Sequence, residues 1–352
     1  MLSKFFKNKR VLVTGASGFK GSWLSYSLYL MNAKVYGLGI KINKNEKLFN
    51  QLNLKNKINF KYVDIRNYQK LKKYIFFSKP SVIFHLAAQP IVSESYENPA
   101  KTIGTNAIGT LNLIDICQEL NFVKTVVCIT SDKCYKNNHS TKGFKETDHL
   151  GGDDPYSASK ACAEIIANSY YKSFYKKKNK GLATTRAGNV IGGGDWSPNR
   201  LLPDCIKSII NKKTIKIRSP NFNRTWQHVL DPIFGYLLLA SKLYNNPEKY
   251  SGPWNFGPKK INVVSVEEIV KKILKYWGSG SYKVLNNKKF YEQKNLQLNI
   301  LKSNRILKWS PKYSIKLSVQ KTVEWYKSVY LSKGTDVEKI TKNQINSFVD
   351  KK

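Results

Sequence analysis

Three residues of types suited to proton transfer are Ser131, Tyr156 and Lys160. Tyr156 and Lys160 are four positions apart, so on a helix they share one face. A free phenol has a pKa of about 10, too high for a base at neutral pH, and a nearby ammonium favours the phenolate. Ser131 follows an apolar run at 126–129 that predicts a buried strand, so its hydroxyl can reach the same oxygen. The set predicts a site that takes a proton from a substrate hydroxyl.

The helix that must carry Tyr156 has clear start signals. Asp154 is a capping acid, and Pro155 suits the first helical turn. A lone Tyr-x-x-x-Lys spacing also occurs by chance as an ordinary helix face. The strand-end hydroxyl of Ser131 is what makes this spacing indicative of chemistry.

A glycine loop lies near the N-terminus, between a strand-like run at 10–14 and helical apolar spacing at 22–30. Gly15, Gly18 and Gly21 allow a tight turn and a close approach to a pyrophosphate, and the following helix offers free N–H groups to the anion. The spacing is GxxGxxG, and an ordinary strand–helix turn is the alternative. The β-α-β context favours dinucleotide binding.

The second strand, at 34–40, does not decide between NAD and NADP. NAD sites usually carry an acid at this strand's end, which binds the adenosine ribose. The first acid here is Glu46, on a predicted loop, and Lys41 or Lys44 can accommodate a 2′-phosphate.

Further strand-like runs occur at 59–63, 80–90 and 181–186, with helical segments between them. This alternation predicts an α/β fold, a Rossmann-type doubly wound parallel sheet. Asp64 either contacts the adenine edge or caps the next helix, and the two are weighted equally. His85, inside an apolar run, is predicted to be a core residue and not a ligand.

The pattern changes at about residue 190, where short helices and strands mix. We predict an NAD-binding domain at 1–188 and a smaller mixed α/β substrate lobe at 189–352, some segments of which return to the first domain. Loops of this lobe carry guanidinium and indole groups suited to phosphates and a base. We expect Arg224 to be functional, and Trp254 and Phe256 to be core.

Bulk composition excludes several classes of protein. The chain has 352 residues and a net charge of +37. Its basic residues are mostly lysines spread over the whole chain, without the Arg-rich, aromatic patch of a nucleic-acid binder. Five cysteines without metal-ligand spacing predict neither disulfides nor zinc and favour a reducing cytosol. No apolar run approaches a signal peptide or the ~18 residues of a membrane span.

Taken together, the motifs resemble those of the extended short-chain dehydrogenase/reductase family, in its NAD-dependent epimerase/dehydratase group. In the family's order they are Gly15-x-x-Gly18-x-x-Gly21, Asp64-Ile65-Arg66, His85 to Gln89, Asn106-x-x-Gly109-Thr110 and Tyr156-x-x-x-Lys160. Within the family, five blocks are similar to the CDP-glucose 4,6-dehydratases: Gly18 to Leu24, Ser131 to Tyr135, Asp154 to Lys160, Arg186 to Trp196 and Trp226 to Pro232. The match runs from about residue 10 to 258, and Thr225 stands where the family usually has Pro.

The resemblance implies a lyase that converts CDP-glucose to CDP-4-keto-6-deoxyglucose. NAD would take a hydride from C4 and return it to C6, with Tyr156 as the base for the C4 hydroxyl. Asp132 would protonate the leaving C6 hydroxyl and Lys133 would take the C5 proton. Related thymidine-diphosphate enzymes carry Glu at the second position, so Lys133 points to the cytidine type. In so lysine-rich a chain, an ordinary surface lysine is the alternative.

The resemblance also implies the remaining site residues and the setting. Cofactor contacts are expected from Tyr156 and Lys160 and from Gly15, Ser17, Gly18, Phe19, Lys20, Gly21, Asp64, Ile65, Leu86, Ala87, Ala88 and Asn106. Substrate contacts are expected from Gln89, Asn189, Arg200, Leu201, Arg218, Arg224 and His228, with Asn189 on the diphosphate. No metal is expected. A cytoplasmic homodimer or homotetramer is expected, supplying deoxysugars for surface polysaccharide such as lipopolysaccharide O-antigen.

Two kinds of alternative stay open. Among enzymes, these are a nucleotide-sugar 4-epimerase and a dehydratase with another nucleotide. Outside catalysis, they are a non-catalytic dinucleotide-binding protein and a basic nucleic-acid binder, although the intact Ser131, Tyr156 and Lys160 set argues against a dead fold.

Overall fold

The computed structural model describes residues 1–41, 48–136, 143–259, 263–285, 296–331 and 336–351. Its strands are β1 (Arg10–Thr14), β2 (Lys34–Gly39), β3 (Asn59–Tyr62), β4 (Val82–His85), β5 (Thr125–Ile129), β6 (Gly181–Ala187), β7 (Asn189–Ile191), β8 (Ile215–Ile217), β9 (Asn223–His228), β10 (Gly252–Phe256), β11 (Val263–Ser265) and β12 (Tyr282–Val284).

The α-helices are α1 (Leu2–Phe6), α2 (Phe19–Leu30), α3 (Leu48–Gln51), α4 (Leu54–Lys57), α5 (Tyr68–Ser78), α6 (Val92–Glu97), α7 (Pro99–Ile103), α8 (Gly109–Glu119), α9 (Pro155–Tyr170), α10 (Leu201–Ile210), α11 (Leu230–Asn245), α12 (Pro247–Tyr250), α13 (Val266–Trp277), α14 (Leu301–Arg305), α15 (Ile315–Leu331) and α16 (Val337–Asp350). A π-helical turn (Gly104–Ile108) joins α7 to α8, and a 3₁₀ turn (Asp132–Cys134) follows β5.

In the described part of the chain, seven strands form one sheet in the order β10-β6-β5-β4-β1-β2-β3. All of its pairings are parallel. The order reverses beside β1, which has β2 on one side and β4 on the other, and this switch point is where open α/β sheets bind ligands. The predicted fold class, a doubly wound parallel sheet, is confirmed.

The sheet separates two layers of core because successive strand residues point to opposite faces. On β1, Val11 and Val13 join the larger apolar cluster, which includes α2 and α11, while Leu12 joins a second cluster with α5 and α8. Strands buried on both faces need continuous apolar runs, which is why the sequence showed runs and no alternation. The sheet is thus a rigid platform for whatever its strand ends carry.

A smaller group of elements follows β6. β11, β9 and β7 form a three-stranded sheet, and β12 pairs with β8 in parallel. Helix α13 begins one residue after Ser265, which forms a capping box with Glu268. β10, however, pairs with β6 in the large sheet. The domain division at 188/189 stays a prediction. β10 comes after that boundary in the sequence but belongs to the large sheet.

The mixture of short helices and strands expected after residue 190 is present. Helix α13 follows directly on β11. Trp254 and Phe256, which were expected to be core, are fully buried on β10. The C-terminal segment forms α15 and α16. No helix in the described ranges is long and apolar enough to cross a membrane.

Candidate active site

The glycine loop connects the carboxyl end of β1 to α2. Gly15 has φ of +68°, and a Cβ there would lie 2.7 Å from the Ala87 backbone nitrogen. A Cβ on Gly21 would overlap the Gly15 carbonyl oxygen. Side chains at these two positions would clash with the protein's own backbone, so glycine is what lets the loop pack closely against β4 and α2. We call this loop, residues 15–21, the glycine cradle. It leads into the N-terminus of α2, where free N–H groups and the helix dipole favour an anion such as the pyrophosphate of a dinucleotide.

The loop rests on the end of β4. The Thr14 side-chain oxygen accepts a hydrogen bond from the Ala87 amide and lies 2.7 Å from His85 Nδ1. The other ring nitrogen of His85 lies 3.0 Å from the Thr110 hydroxyl. Burial lowers the His85 pKa to about 3, so the ring is neutral. His85 is the satisfied core residue that the sequence predicted, and Leu86, Ala87 and Ala88 form the edge beyond it.

Asp64 pairs with Arg66 and does not cap a helix. The carboxylate accepts from the Arg66 amide and from both Nε and Nη2, at 2.6 Å to the latter, and these bonds to Arg66 lower its pKa. The cap of α5 is Asn67, which accepts from the Lys70 amide. The helix-cap interpretation of Asp64 is therefore wrong, and the adenine contact stays a prediction.

Ile65 lies behind the cleft, not in it. Its side chain is buried against Gly109, where a Cβ would come within 2.5 Å of it. Its side chain belongs to the apolar cluster that includes α5 and α8, and its cofactor contact stays a prediction. Glu46 and Lys44, which bear on the choice of NADP, lie outside the described residues.

Asn106 links the segment that follows β4 to helix α9. It sits in the π-helical turn, accepts from the Gln89 amide at 2.8 Å and donates to the Gln89 carbonyl and to the Ser159 hydroxyl on α9. Only 1% of Asn106 is exposed, and its cofactor contact stays a prediction. The Gln89 side chain is likewise engaged, with Ile91 and Thr102. Both residues fix the position of α9 against β4.

Helix α9 presents the predicted Tyr–Lys pair. Asp154 caps it by accepting from the Ser157 amide at 2.9 Å, and Pro155 occupies its first turn, as the sequence predicted. The Lys160 ammonium lies 6.0 Å from the centre of the Tyr156 ring. Burial lowers the Lys160 pKa to about 8. Burial raises the Tyr156 pKa, and the nearby Ser131 hydroxyl opposes this rise.

Ser131 begins the 3₁₀ turn that follows β5. Its hydroxyl donates to Asp132 Oδ1 at 3.0 Å and accepts from the Lys133 amide at 3.2 Å. Asp132 is 8% exposed, and burial raises its pKa, against the opposing influence of Lys133 and further cations. Lys133 is half-buried. The turn therefore brings a carboxyl and an ammonium beside the hydroxyl that serves Tyr156.

A second cation lies at the same place. Lys20, in the first turn of α2, is surrounded by the charges of Arg200, Lys160, Asp132 and Asp195, and burial with the two neighbouring cations lowers its pKa to about 8. Arg200 pairs with buried Asp195 at 3.3 Å. The sequence alone did not assign a role to Asp195, because the loop that carries it is held by Tyr326 of α15, whose hydroxyl donates to the Asp195 carbonyl. Lys20, predicted to bind the cofactor, also lies near the predicted catalytic residues Asp132 and Lys160.

The predicted substrate residues divide into two groups. Asn189 and Leu201 are half-buried at the starts of β7 and α10, and Arg224 on β9 acts electrostatically on Asp132. Arg218 directly follows β8 and is exposed, and its charge acts on the carboxylate of Asp204. Their substrate contacts stay predictions.

His228 lies in the core. Its ring is fully buried, 6.2 Å from the ring of Trp23 and 5.3 Å from that of Tyr313, and burial lowers its pKa to about 3. β9 directs this side chain between α2 and the segment before α15, and its substrate contact stays a prediction. Among the described residues, no group of three or more His, Cys, Asp or Glu is arranged to hold a metal ion.

The sheet order, the glycine cradle and the Tyr156–Lys160 helix define the class: a dehydrogenase/reductase of the extended short-chain type. The chain belongs to the family described as GDP-mannose 4,6 dehydratase, whose model matches residues 12–322. The resemblance inferred from the sequence is thereby confirmed.

Individual relatives are similar over nearly the whole chain. A CDP-glucose 4,6-dehydratase of Salmonella typhimurium is 40% identical over 351 residues, which are 98% of this chain and 97% of that protein. A dTDP-glucose 4,6-dehydratase of Bacillus anthracis, solved in complex with NAD, is 25% identical, with a TM-score of 0.75 over 90% of this chain and 96% of that one. A UDP-glucuronic acid 4-epimerase of Bacillus cereus, solved with UDP-glucuronic acid and NAD, is 23% identical, with a TM-score of 0.78 over 91% and 99%.

Proposed function

We propose that this protein is an NAD-dependent hydro-lyase that converts CDP-glucose to CDP-4-keto-6-deoxyglucose and water. The observation that carries the proposal is the turn Ser131-Asp132-Lys133, which adds an acid and a candidate base to the Tyr156–Lys160 pair. The 40% identity to a CDP-glucose 4,6-dehydratase supports the activity and the nucleotide. NAD is supported by the glycine cradle and by the related dehydratase solved with it.

The first step needs a base at the sugar C4 hydroxyl. Tyr156 takes that proton as phenolate, and the Lys160 ammonium stabilises the negative charge on its oxygen. Ser131 can donate to the same oxygen when its hydroxyl rotates away from Asp132. NAD, when bound, would supply the hydride chemistry at C4 and C6. In this proposal Lys160 also holds the nicotinamide ribose. The protein's part in this step is thus to move one proton and to fix the geometry around it.

The second step eliminates water across C5 and C6. The 4-keto group acidifies the C5 hydrogen, Lys133 takes that proton, and Asp132 protonates the leaving C6 hydroxyl. A carboxyl must be neutral to act as an acid, and burial raises the Asp132 pKa in the required direction. Lys133 is half-buried in the same turn as Asp132, which is the placement that the proposal requires of the C5 base.

The nucleotide part of the substrate is held by residues of the smaller lobe in this proposal. Asn189 binds the diphosphate, and Arg224 binds phosphate or ribose. Arg200, fixed by Asp195, adds a guanidinium near Lys20. These groups give the cleft the positive charge that a nucleotide diphosphate requires.

An epimerase is the second candidate, because a 4-epimerase shares the fold. Reversible oxidation at C4 needs Tyr156, Lys160 and the cofactor but no further acid. The buried Asp132 carboxyl, hydrogen-bonded to Ser131, has no use in that reaction, which favours elimination.

We also propose a cytoplasmic homo-oligomer. The cysteines Cys117, Cys128, Cys134 and Cys205 are buried as free thiols, which suits a reducing compartment. Exposed apolar side chains, Ile103 and Ile165 among them, lie on α7 and α9. Light scattering of the wild type and of Ile165→Glu tests the assembly: a dimer or tetramer that the variant weakens is expected, and a wild-type monomer contradicts it.

A panel of nucleotide sugars tests the proposed activity. The purified protein is incubated with the CDP-, dTDP-, UDP- and GDP-linked hexoses, and each product is analysed by mass spectrometry and for isomer composition. We expect loss of one water from CDP-glucose in preference to the others. Loss of water from another member of the panel alone would reassign the nucleotide, and isomerisation without loss of water would favour the epimerase.

A further inference from the structure

A buried carboxylate, Glu164, lies beneath the proposed catalytic groups. The Thr130 hydroxyl donates to its Oε1 at 2.5 Å, and the Thr184 hydroxyl donates to its Oε2 at 2.6 Å. Arg186 Nη2 donates to the same Oε2 at 2.7 Å. Glu164 and Arg186 are each 2% exposed, so solvent hardly reaches the pair. None of these residues takes part in the proton or hydride transfers proposed above.

Glu164 shares a helix face with the catalytic pair. On α9 it follows Lys160 by one turn and Tyr156 by two, and all three are buried. A group that fixes Glu164 therefore fixes both the rotation of α9 and its position along the helix axis. The Tyr156 phenol and the Lys160 ammonium move with it.

Thr130 is hydrogen-bonded to two neighbouring elements, β6 and α9. It lies between the last residue of β5 and Ser131, and its amide donates to the Thr185 carbonyl on β6 at 2.9 Å. Its hydroxyl also lies 3.2 Å from that carbonyl, and the shorter approach is to Glu164. The bond from Thr130 to Glu164 thus connects the residue beside Ser131 directly to the helix of Tyr156.

Arg186 holds the carboxylate in this position. Its guanidinium lies 4.6 Å from the centre of the Tyr135 ring, and its Nη1 donates to the Glu146 carbonyl at 3.3 Å. A buried carboxylate without a cation is costly, whereas the paired and hydrogen-bonded one is rigid. Two strands, β5 and β6, and one helix, α9, therefore meet at one charged group.

We propose that Glu164 is a positioning residue, whose bond to Thr130 sets the spacing between the Ser131 hydroxyl and the Tyr156 phenol. The inference rests on the proposed function, because it assigns those two groups to the removal of the C4 hydroxyl proton. Loss of the bond loosens α9 relative to Ser131 and slows that step, since small misplacements of reacting groups cost large factors in rate. Binding of the nucleotide sugar, in the other lobe, is unaffected.

The chain offers a matched pair of variants for the test. Thr130→Val and Thr184→Val each remove one buried threonine hydroxyl from the same carboxylate, but only Thr130 is next to Ser131. Thr130→Ser restores the hydroxyl. We expect Thr130→Val to lower the single-turnover rate of cofactor reduction by CDP-glucose ~10- to 100-fold, with KM and bound-NAD content unchanged. Thr130→Ser recovers most of the rate, and Thr184→Val has a much smaller effect.

Equal losses of rate in Thr130→Val and Thr184→Val would overturn the inference, and so would a wild-type rate in Thr130→Val. Melting temperatures of both valine variants separate a loss of fold from a loss of positioning. If Thr130→Val does not fold, Thr130→Ala against Thr130→Ser decides, and equal rates in these two would contradict the proposal. A wild-type protein that neither reduces its cofactor nor releases water with any sugar of the panel would refute the proposed function instead.

Discussion

The Ser131 hydroxyl donates a 3.0 Å hydrogen bond to Asp132 Oδ1 and at the same time interacts with the Tyr156 phenol. One side chain therefore joins the group assigned to oxidation at C4 to the group assigned to protonation at C6. The groups proposed for the two steps are therefore neighbours. The protonation state of Asp132 is consequently sensed at Tyr156, whose pKa its charge raises.

Replacing Asp132 by Asn separates the two steps. The amide keeps the shape and still accepts from Ser131, but it cannot protonate the C6 hydroxyl. We expect release of water to fall ~10²- to 10⁴-fold, the usual contribution of a general acid, while the cofactor is still reduced on addition of CDP-glucose. Product analysis and the absorbance of reduced nicotinamide measure both. Asp153→Asn, at an exposed acid of the loop before α9, is the control, and full dehydration by Asp132→Asn would refute the assignment.

Lys133 is tested against its exposed neighbour. Lys133 is half-buried and acts on Asp132 as its largest neighbouring charge, whereas Lys136 is exposed. We expect Lys133→Gln to lower incorporation of solvent deuterium at C5 by ~10²-fold or more, with cofactor reduction retained. Lys136→Gln should behave as the wild type. If both variants exchange C5 at the wild-type rate, Lys133 is an ordinary lysine and another base must be sought.

The rate of cofactor reduction should have an alkaline limb near pH 8. Burial lowers the Lys160 pKa to about 8, so the ammonium that stabilises the Tyr156 phenolate is lost as the pH rises through that value. On the acid side the rate rises with pH, because Tyr156 must lose its proton. In Lys160→Arg the cation persists to higher pH, and the alkaline limb should move up with it even if the rate is lower. A limb that stays near pH 8 in that variant belongs to another group.

The glycine cradle can be tested with two glycines of positive φ. Gly15, at +68°, would bring a Cβ against the Ala87 backbone, whereas Gly252, at +92°, has no atom within 4 Å of such a Cβ. We expect Gly15→Ala to lose its bound NAD. Gly252→Ala should lose only ~1–2 kcal/mol of folding stability to backbone strain, and it should keep its cofactor. Nicotinamide released on denaturation of the purified proteins is the measure, and full NAD content in Gly15→Ala would contradict the role of the cradle.

Local features were the ones that the sequence predicted best. The glycine loop, the Asp154–Pro155 helix start and the Tyr156–Lys160 face each depend on neighbours within a few residues, so residue type and spacing sufficed. The parallel sheet followed from apolar runs alternating with helices. The family resemblance then supplied Asp132 and Lys133, which no spacing rule would have chosen.

Non-local relationships were missed or mistaken. Glu164 accepts a hydrogen bond from Thr130, 34 positions away, and no residue spacing in the sequence predicts a contact over that separation. β10 joins the large sheet beside β6, so a division by sequence position cannot be clean. The resemblance implied a substrate contact for His228, and no local pattern showed that β9 buries this side chain in the core. Asn67, and not Asp64, caps helix α5, because the Asp64 carboxylate is hydrogen-bonded to Arg66.

The central claim is internal oxidation, elimination and return of the same hydride on CDP-glucose, and isotope tracing tests it most directly. The purified protein is supplied with CDP-glucose carrying deuterium at C4, and the product is examined by NMR and mass spectrometry. The account predicts CDP-4-keto-6-deoxyglucose with the deuterium at C6 and no net change in the cofactor. Product that retains deuterium at C4, or the absence of product from CDP-glucose while another nucleotide sugar is converted, would contradict it.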